Sequence, residues 1–151
     1  MPAISFHSPV GPLSLQEDNG AIVRLDWTAF EDQPTDLLRR ARDQLGAYFA
    51  GALTEFDLPL AVSGSDFQQA VCAEMLKIPL GETRTYGDIA KALGCAAQPV
   101  GRACGGNPIP IIIPCHRVMG AGGKLTGFSG QGGVETKVAL LRHERAAGLL
   151  I

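Results

Sequence analysis

Cys115 and His116 stand side by side in Pro114-Cys115-His116-Arg117-Val118. A free thiol has an ordinary pKa of about 8.5 and is mostly protonated at neutral pH, so a nucleophilic cysteine needs a neighbour that takes its proton or stabilises the thiolate. An imidazole does this best near neutrality, and a carboxylate behind it fixes its tautomer. Neighbours in an extended chain point to opposite faces, so sulfur and imidazole can cooperate here only through a turn or a bridging water. Taken alone, the pair also reads as a buried structural cysteine beside an incidental histidine, and that reading is the commoner one. The other cysteines, Cys72, Cys95 and Cys104, form no C-x-x-C pair and meet no histidine at finger spacing, so no metal site is expected. They read as small buried hydrophobes.

These residues sit in a chain of 151 residues, 46% hydrophobic and 19% charged, which can bury a core and is not of disordered composition. The length allows one domain, or two small ones. No apolar run approaches the ~20 residues that span a bilayer. The richest, Ile111-Ile112-Ile113, is enclosed by Pro110 and Pro114. The first fifteen residues lack a basic stretch followed by an apolar one, so a cytoplasmic protein with no membrane association is expected. The net charge of −2 hides an asymmetry: residues 1–64 hold nine acidic and four basic groups, residues 65–151 six acidic and nine basic. The second part could face a polyanion; ordinary surface variation explains the same counts.

The elements that must position Cys115 follow from pattern and punctuation. Ile4–His7, Leu13–Gln16 and Ile22–Trp27 are short β-prone runs separated by turn-formers, a meander of about three strands. Thr35 can cap a helix with Leu37, Leu38, Ala41, Leu45, Tyr48 and Phe49 on one stripe, ended by Gly51. Nothing in residues 1–64 looks like chemistry, and His7 reads as a surface or packing residue. From Asp66, a candidate cap, Phe67, Val71 and Met75 recur at helical spacing. Thr85 opens a short helix stopped by Gly94. After Cys95-Ala96-Ala97, Pro99 is placed at the first position of a further helix running towards Cys104. Two short helices joined by a tight turn outline a helix-turn-helix, whose second helix would bring Gln98 and Arg102 to a DNA groove. A plain packed helix pair has the same outline. Residues 105–114 form a stiff non-helical segment, Ala121-Gly122-Gly123 resembles a hairpin tip with Lys124 at its edge, as in a wing, and a last helix spans about 133–147 with Val134, Val138, Leu140 and Leu141 inward.

The run Asn107-Pro108-Ile109-Pro110-Ile111-Ile112-Ile113-Pro114-Cys115-His116-Arg117-Val118 resembles the active-site signature of the O6-alkylguanine-DNA alkyltransferases. The resemblance continues upstream in Ile78-Pro79-Leu80-Gly81-Glu82-Thr83-Arg84-Thr85-Tyr86-Gly87-Asp88-Ile89-Ala90 and Val100-Gly101-Arg102, and downstream in Gly127-Phe128-Ser129-Gly130 and Lys137–Glu144. It covers most of residues 66–145 in order, whereas residues 1–64 match only as a weakly patterned cap.

The resemblance implies an α+β fold. A small N-terminal three-stranded antiparallel sheet plus helix (1–64) precedes a mainly helical, winged helix-turn-helix-like domain (65–151) that binds DNA and accepts the alkyl group. It implies irreversible, stoichiometric transfer of an alkyl group from O6-alkylguanine in double-stranded DNA to Cys115, with no cofactor and no obligate protein partner in a monomer; O4-alkylthymine is a second candidate lesion. His116 would act as base through a water, with Glu144 orienting and charging it. Asn107 would organise the turn that brings the two helices together. Tyr86 would press on the phosphate beside the target. The carbonyls of Cys115 and Val118 and the Ser129 amide would read the extruded guanine, and Pro110 would line the alkyl pocket. The alkylated oxygen lies inside the duplex, so the nucleotide must leave the stack, and a poorly paired base leaves most easily. The chain departs from the family pattern at Gln98, where an intercalating arginine is usual, at Cys72, at Phe128, where a tyrosine is common, and at Gln131, which replaces a usual glycine. Two other classes share parts of this outline. A non-catalytic lesion binder lacks the acceptor cysteine that is present here. A cysteine hydrolase using Cys115, His116 and Glu144 would leave the helix-turn-helix unexplained.

Overall fold

The computed structural model describes residues 1–125 and 133–145, and the chain divides into two compact units, Met1–Val62 and Ser63–Ile151. In the first, β1 (Ala3–Ser8), β2 (Gly11–Asp18) and β3 (Ala21–Asp26) form an antiparallel sheet in that order. Asn19 and Gly20 both adopt positive φ (49° and 76°), the requirement of a tight hairpin turn that splays neither strand. Ile4, Leu13, Leu15, Ile22 and Leu25 are buried; alternation places Leu13 and Leu15 together, and the register shift between β2 and β3 at Gln16 and Glu17 lets Ile22 and Leu25, three apart, both turn inward. Helix α1 (Asp36–Phe49) is capped by Thr35, whose side chain accepts from the Leu38 amide, and it contributes buried Leu38, Ala41, Leu45 and Tyr48 to the same core.

In the second unit, α2 (Asp66–Leu76) is capped by Ser65 rather than by Asp66. Asp66 lies one position inside, where its charge favours the helix N-terminus without bonding it. Residues Arg84–Thr85 (β4) precede α3 (Tyr86–Leu93), whose start carries a reciprocal capping box: Thr85 accepts from the Asp88 amide at 3.0 Å and Asp88 from the Thr85 amide at 2.9 Å. Gly94, at φ 68°, ends that helix in the left-handed conformation. Helix α4 (Ala97–Gly105) begins two residues before the position expected from Pro99. Proline is tolerated there because amides of the first turn have no intrahelical acceptor. The Gln68 amide donates to the Ala103 carbonyl at 2.8 Å and ties α2 to α4.

Two expectations need correcting in this unit. Cys72 and Cys104 are buried, but Cys95 lies exposed in the turn between α3 and α4, where the reversal of the chain leaves nothing to cover it. Ala121–Gly123, read as a hairpin tip, forms a short 3-10 turn closed by the antiparallel Gly120–Lys124 bridge in agreement with that reading, and Val118–Met119 (β5) pairs in parallel with β4. This pairing sets Arg84 against Val118 and Thr85 against Met119, so the start of α3 lies beside the segment that follows Cys115. The last helix, α5 (Val134–His143), buries Leu140 and Leu141, whereas Val134 is 40% exposed and Val138 only half-buried. Ala146 and Ala147 of the expected helix lie outside the described residues, as do Phe128, Ser129 and Gln131. Among the described residues no helix is long and apolar enough to cross a membrane.

Replacing Thr85 by valine removes one half of the capping box that fixes the start of α3. The expected loss is about 1 kcal/mol, read as a lower midpoint in urea with an unchanged slope; an unaltered midpoint would show that the box carries no stability.

Candidate active site

Cys115 opens a single 3-10 turn, Cys115–Arg117, so it and His116 do not face opposite ways as they would in a strand. The turn ends a loop held in an uncommon shape. Ile111 has φ 72°, a left-handed conformation that a β-branched residue rarely adopts. Asn107 stabilises the loop from inside: its Nδ2 donates to the Ile113 carbonyl at 2.8 Å, and its Oδ1 accepts from the Ile109 amide at 3.0 Å. The Ile113 amide reaches the Ile109 carbonyl at 2.9 Å, and the Cys115 amide the Ile113 carbonyl at 2.8 Å. Asn107 therefore organises the approach to Cys115, and the α3–α4 turn closes without it through the Cys95 amide and the Ala90 carbonyl.

Behind the turn lies a buried network. His116 is fully buried, and its Nε2 lies 2.6 Å from Glu144 Oε2. Arg117 grips the same carboxylate at two points, Nε to Oε1 at 2.8 Å and Nη2 to Oε2 at 2.9 Å, and its Nη1 donates to the Ile78 carbonyl at 2.7 Å. Burial pushes the Glu144 carboxyl up, but the hydrogen bonds from His116 and Arg117 outweigh it and hold the pKa at about 2. An ionised carboxylate has no proton to give, so Nε2–H donates and Nδ1 carries the lone pair. That Nδ1 is buried and makes no hydrogen bond among the described residues.

The electrostatics revise the expected thiolate. Burial drives the Cys115 pKa up to about 11, against smaller opposing pulls from the Asn107 hydrogen bond and the Lys137 charge. Burial also lowers His116; the hydrogen bond and charge of Glu144 raise it, and the charges of Arg117 and Lys137 lower it further. At rest the site therefore holds a neutral thiol and a neutral imidazole, and Glu144 orients His116 without charging it.

Lys137 was missed by sequence reasoning. It is fully buried on α5, its Nζ donates to the Val118 carbonyl at 2.6 Å, and the ammonium lies 6.0 Å from the centre of the Tyr86 ring. Burial lowers its pKa, against the opposing influence of Cys115 and Cys104. The signal was present: Lys137, Leu140, Leu141 and Glu144 recur at i, i+3, i+4 and i+7 on one helical face. Arg117 belongs to the Pro114–Val118 motif, and its role appears only once Glu144 is placed beside it. The Cys115 and Val118 carbonyls each already accept one bond, from the Val118 amide and from Lys137, which leaves each a second lone pair. Pro110 is buried within the loop. Tyr86, Gln98 and Arg102 come together around a separate cleft of about 520 Å³ between the starts of α3 and α4, with Gly101 and Ala121 also in its wall. Gln98 and Arg102 are exposed and Tyr86 half-buried.

The family model of the 6-O-methylguanine DNA methyltransferase DNA-binding domain matches residues 66–146, and that of the ribonuclease-like domain of the same proteins matches residues 3–62. The chain belongs to this family. It is 48% identical to the methylated-DNA–protein-cysteine methyltransferase of Mycobacterium tuberculosis, over 94% of this chain and 91% of that protein. The relative from Methanosarcina acetivorans is 43% identical, over 92% of this chain and 95% of its own. Among solved structures, the crystal structure of Mycobacterium tuberculosis OGT in complex with DNA is similar with a TM-score of 0.86 at 47% identity, covering 96% of this chain and 93% of that one. The fold class expected from the sequence is thus borne out.

The buried network makes the protein sensitive to acid. Glu144 is depressed from an ordinary 4.5 to about 2, so its contribution is complete above about pH 4.5 and lost as pH falls towards 2. His116 is held below its ordinary 6.5, so the unfolded chain takes up that proton first as pH falls through 6.5. Both effects reduce stability on acidification. In Glu144→Gln, urea unfolding between pH 4.5 and 2 should show a flatter dependence, on a protein already weaker by about 3–5 kcal/mol because Arg117 is left unpaired; an unchanged slope would remove Glu144 from the acid response.

Proposed function

We propose that this chain repairs O6-alkylguanine in double-stranded DNA by one irreversible transfer of the alkyl group to Cys115. The observation that carries this reading is the buried imidazole whose one nitrogen is held by Glu144 and whose other has no partner among the described residues, one residue from a thiol that is 5% exposed. A thiol so enclosed cannot reach an oxygen on the edge of a stacked base, so the nucleotide must swing out of the duplex. Tyr86 presses on the backbone beside the target, Gln98 occupies the space vacated in the stack, and Arg102 contacts DNA from the same face of α4. Pro110 and the carbonyls of Cys115 and Val118 shape the pocket for the extruded base; the Ser129 amide, to which the resemblance gives a part in reading it, lies outside the described residues.

In the chemical step the Cys115 proton passes to His116 Nδ1 through a bridging water. The sulfur forms a bond to the alkyl carbon as the bond from that carbon to O6 breaks, and the electron pair leaves with the guanine, which takes up a proton. The product is a thioether that no neighbouring group can cleave, so one chain repairs one lesion. The reading extends to O4-alkylthymine as a second substrate. The chain acts in the cytoplasm as a monomer without an obligate protein partner, residues 65–151 carrying both DNA binding and transfer and residues 1–64 forming a domain without chemistry.

The decisive measurement is stoichiometric. After mixing with a duplex holding one O6-methylguanine, the protein should gain the mass of a single methyl group on Cys115, and Cys115→Ala should gain none. Multiple turnovers on an unmodified protein would indicate hydrolysis, and binding without mass gain a lesion-recognition role. Gln98→Arg should bind DNA more tightly and steepen the dependence of log affinity on log salt by about 0.9, the increment for one added phosphate contact; an unchanged slope and affinity would show that the missing charge at this position has no consequence.

A further inference from the structure

Arg117 and His116 bond to the same buried carboxylate, and their joint geometry decides what that carboxylate can do to the imidazole. Arg117 meets both oxygens of Glu144, at 2.8 and 2.9 Å, while His116 shares only Oε2. A fork of this kind fixes the plane of a carboxylate as well as its position, which a point charge such as lysine does not. The third contact, to the Ile78 carbonyl at 2.7 Å, anchors the guanidinium to the segment that follows α2. The carboxylate plane then sets the imidazole plane, and so the direction in which the free Nδ1 points.

Among the described residues, the charges that act on His116 can be named. Glu144 faces it from the end of α5, Lys137 from the middle of the same helix, and Arg117 from the next residue of its own turn; Cys115 precedes it. A protonated His116 would be a third cation against a single carboxylate in a buried site. Without Arg117, the carboxylate would face the imidazole alone and favour its charged form, as paired acids and histidines do. A charged imidazole has no lone pair with which to accept a thiol proton.

We propose that Arg117 is the positioning residue of this site, holding Glu144 so that His116 is oriented yet kept neutral, with Nδ1 open to the Cys115 proton. This rests on the transfer reading given above, but part of it can be tested without DNA. In the free protein, the nitrogen shifts of 15N-labelled His116 should show a neutral ring protonated at Nε2 throughout pH 5.5 to 8.5. In Arg117→Met the same ring should titrate within that range, and in Arg117→Lys, which keeps the charge, it should remain neutral. In single-turnover methyl transfer, the Arg117→Met rate should fall several-fold more at pH 6 than at pH 8, because a ring that titrates within that range is largely protonated at the lower pH and neutral at the higher. A rate lowered by the same factor at every pH, or an unmoved His116 titration in folded Arg117→Met, overturns the proposal and leaves Arg117 a structural residue. If Arg117→Met does not fold, Arg117→Gln, which keeps donors and loses the charge, takes its place: a ring that titrates within the range sustains the proposal and an unmoved ring overturns it. Failure of the stoichiometric assay with an intact His116 response would reject the transfer reading and leave the role of Arg117 standing.

Discussion

The Glu144 carboxylate is the constraint around which the second unit is organised. It lies at the end of α5 and joins the Cys115–Arg117 turn through His116 and Arg117, while Arg117 reaches on to the Ile78 carbonyl beyond α2. Three stretches far apart in sequence thereby meet at one buried charge. Burial of an ion pair adds little stability relative to a well-packed apolar alternative, because desolvation offsets the attraction. Its contribution is specificity: any register of α5 against the turn other than the observed one would strand a carboxylate and a guanidinium in the core. The network thus places the turn and the helix relative to each other more strictly than the apolar contact between Met119 and Leu141 could.

The loop between α4 and the turn imposes a second constraint. Its backbone conformation at Ile111 costs on the order of 1–3 kcal/mol and persists because Asn107 bonds to it at two points and prolines at 108, 110 and 114 limit the alternatives. Ile109, Ile111, Ile112 and Ile113 are all buried, so the apolar run that is too short for a membrane serves as a core segment. Strain there and burial around it both fix where the sulfur sits, and a transfer step needs that placement more than it needs mobility.

Much of this was legible in the sequence because it is local. Caps at Thr35 and Thr85, the stop at Gly94, the turn-formers between the three strands and the stripe of α1 each follow from residues a few positions apart. What was not legible depends on distant partners. The helical face of Lys137 marks it as inward, but the partner of its buried charge appears only when β5 supplies the Val118 carbonyl, and Arg117 looks incidental until α5 supplies Glu144. Cys95 fails in the opposite sense: small cysteines are usually buried, but a turn after a left-handed glycine has no neighbour to bury it. The two-residue parallel pairing of β4 with β5 leaves almost no pattern of its own, since a strand so short carries no readable period.

The resting state of the sulfur bears on how a protein consumed by one reaction avoids being consumed wrongly. Burial holds the Cys115 thiol well above its ordinary pKa, so at pH 7 it rests protonated. A cysteine stabilised as thiolate by a charged imidazole would react with any electrophile small enough to reach it, and each such event would remove one molecule permanently. Burial that withholds the anion, beside a neutral imidazole able to take the proton, makes reactivity conditional on what occupies the pocket. The charged neighbours serve the same end in opposite ways: Lys137 favours the thiolate, while the charges of Arg117 and Lys137 together disfavour the imidazolium. Nucleophile and base are thus balanced short of proton transfer, and the group that enters the site tips the balance.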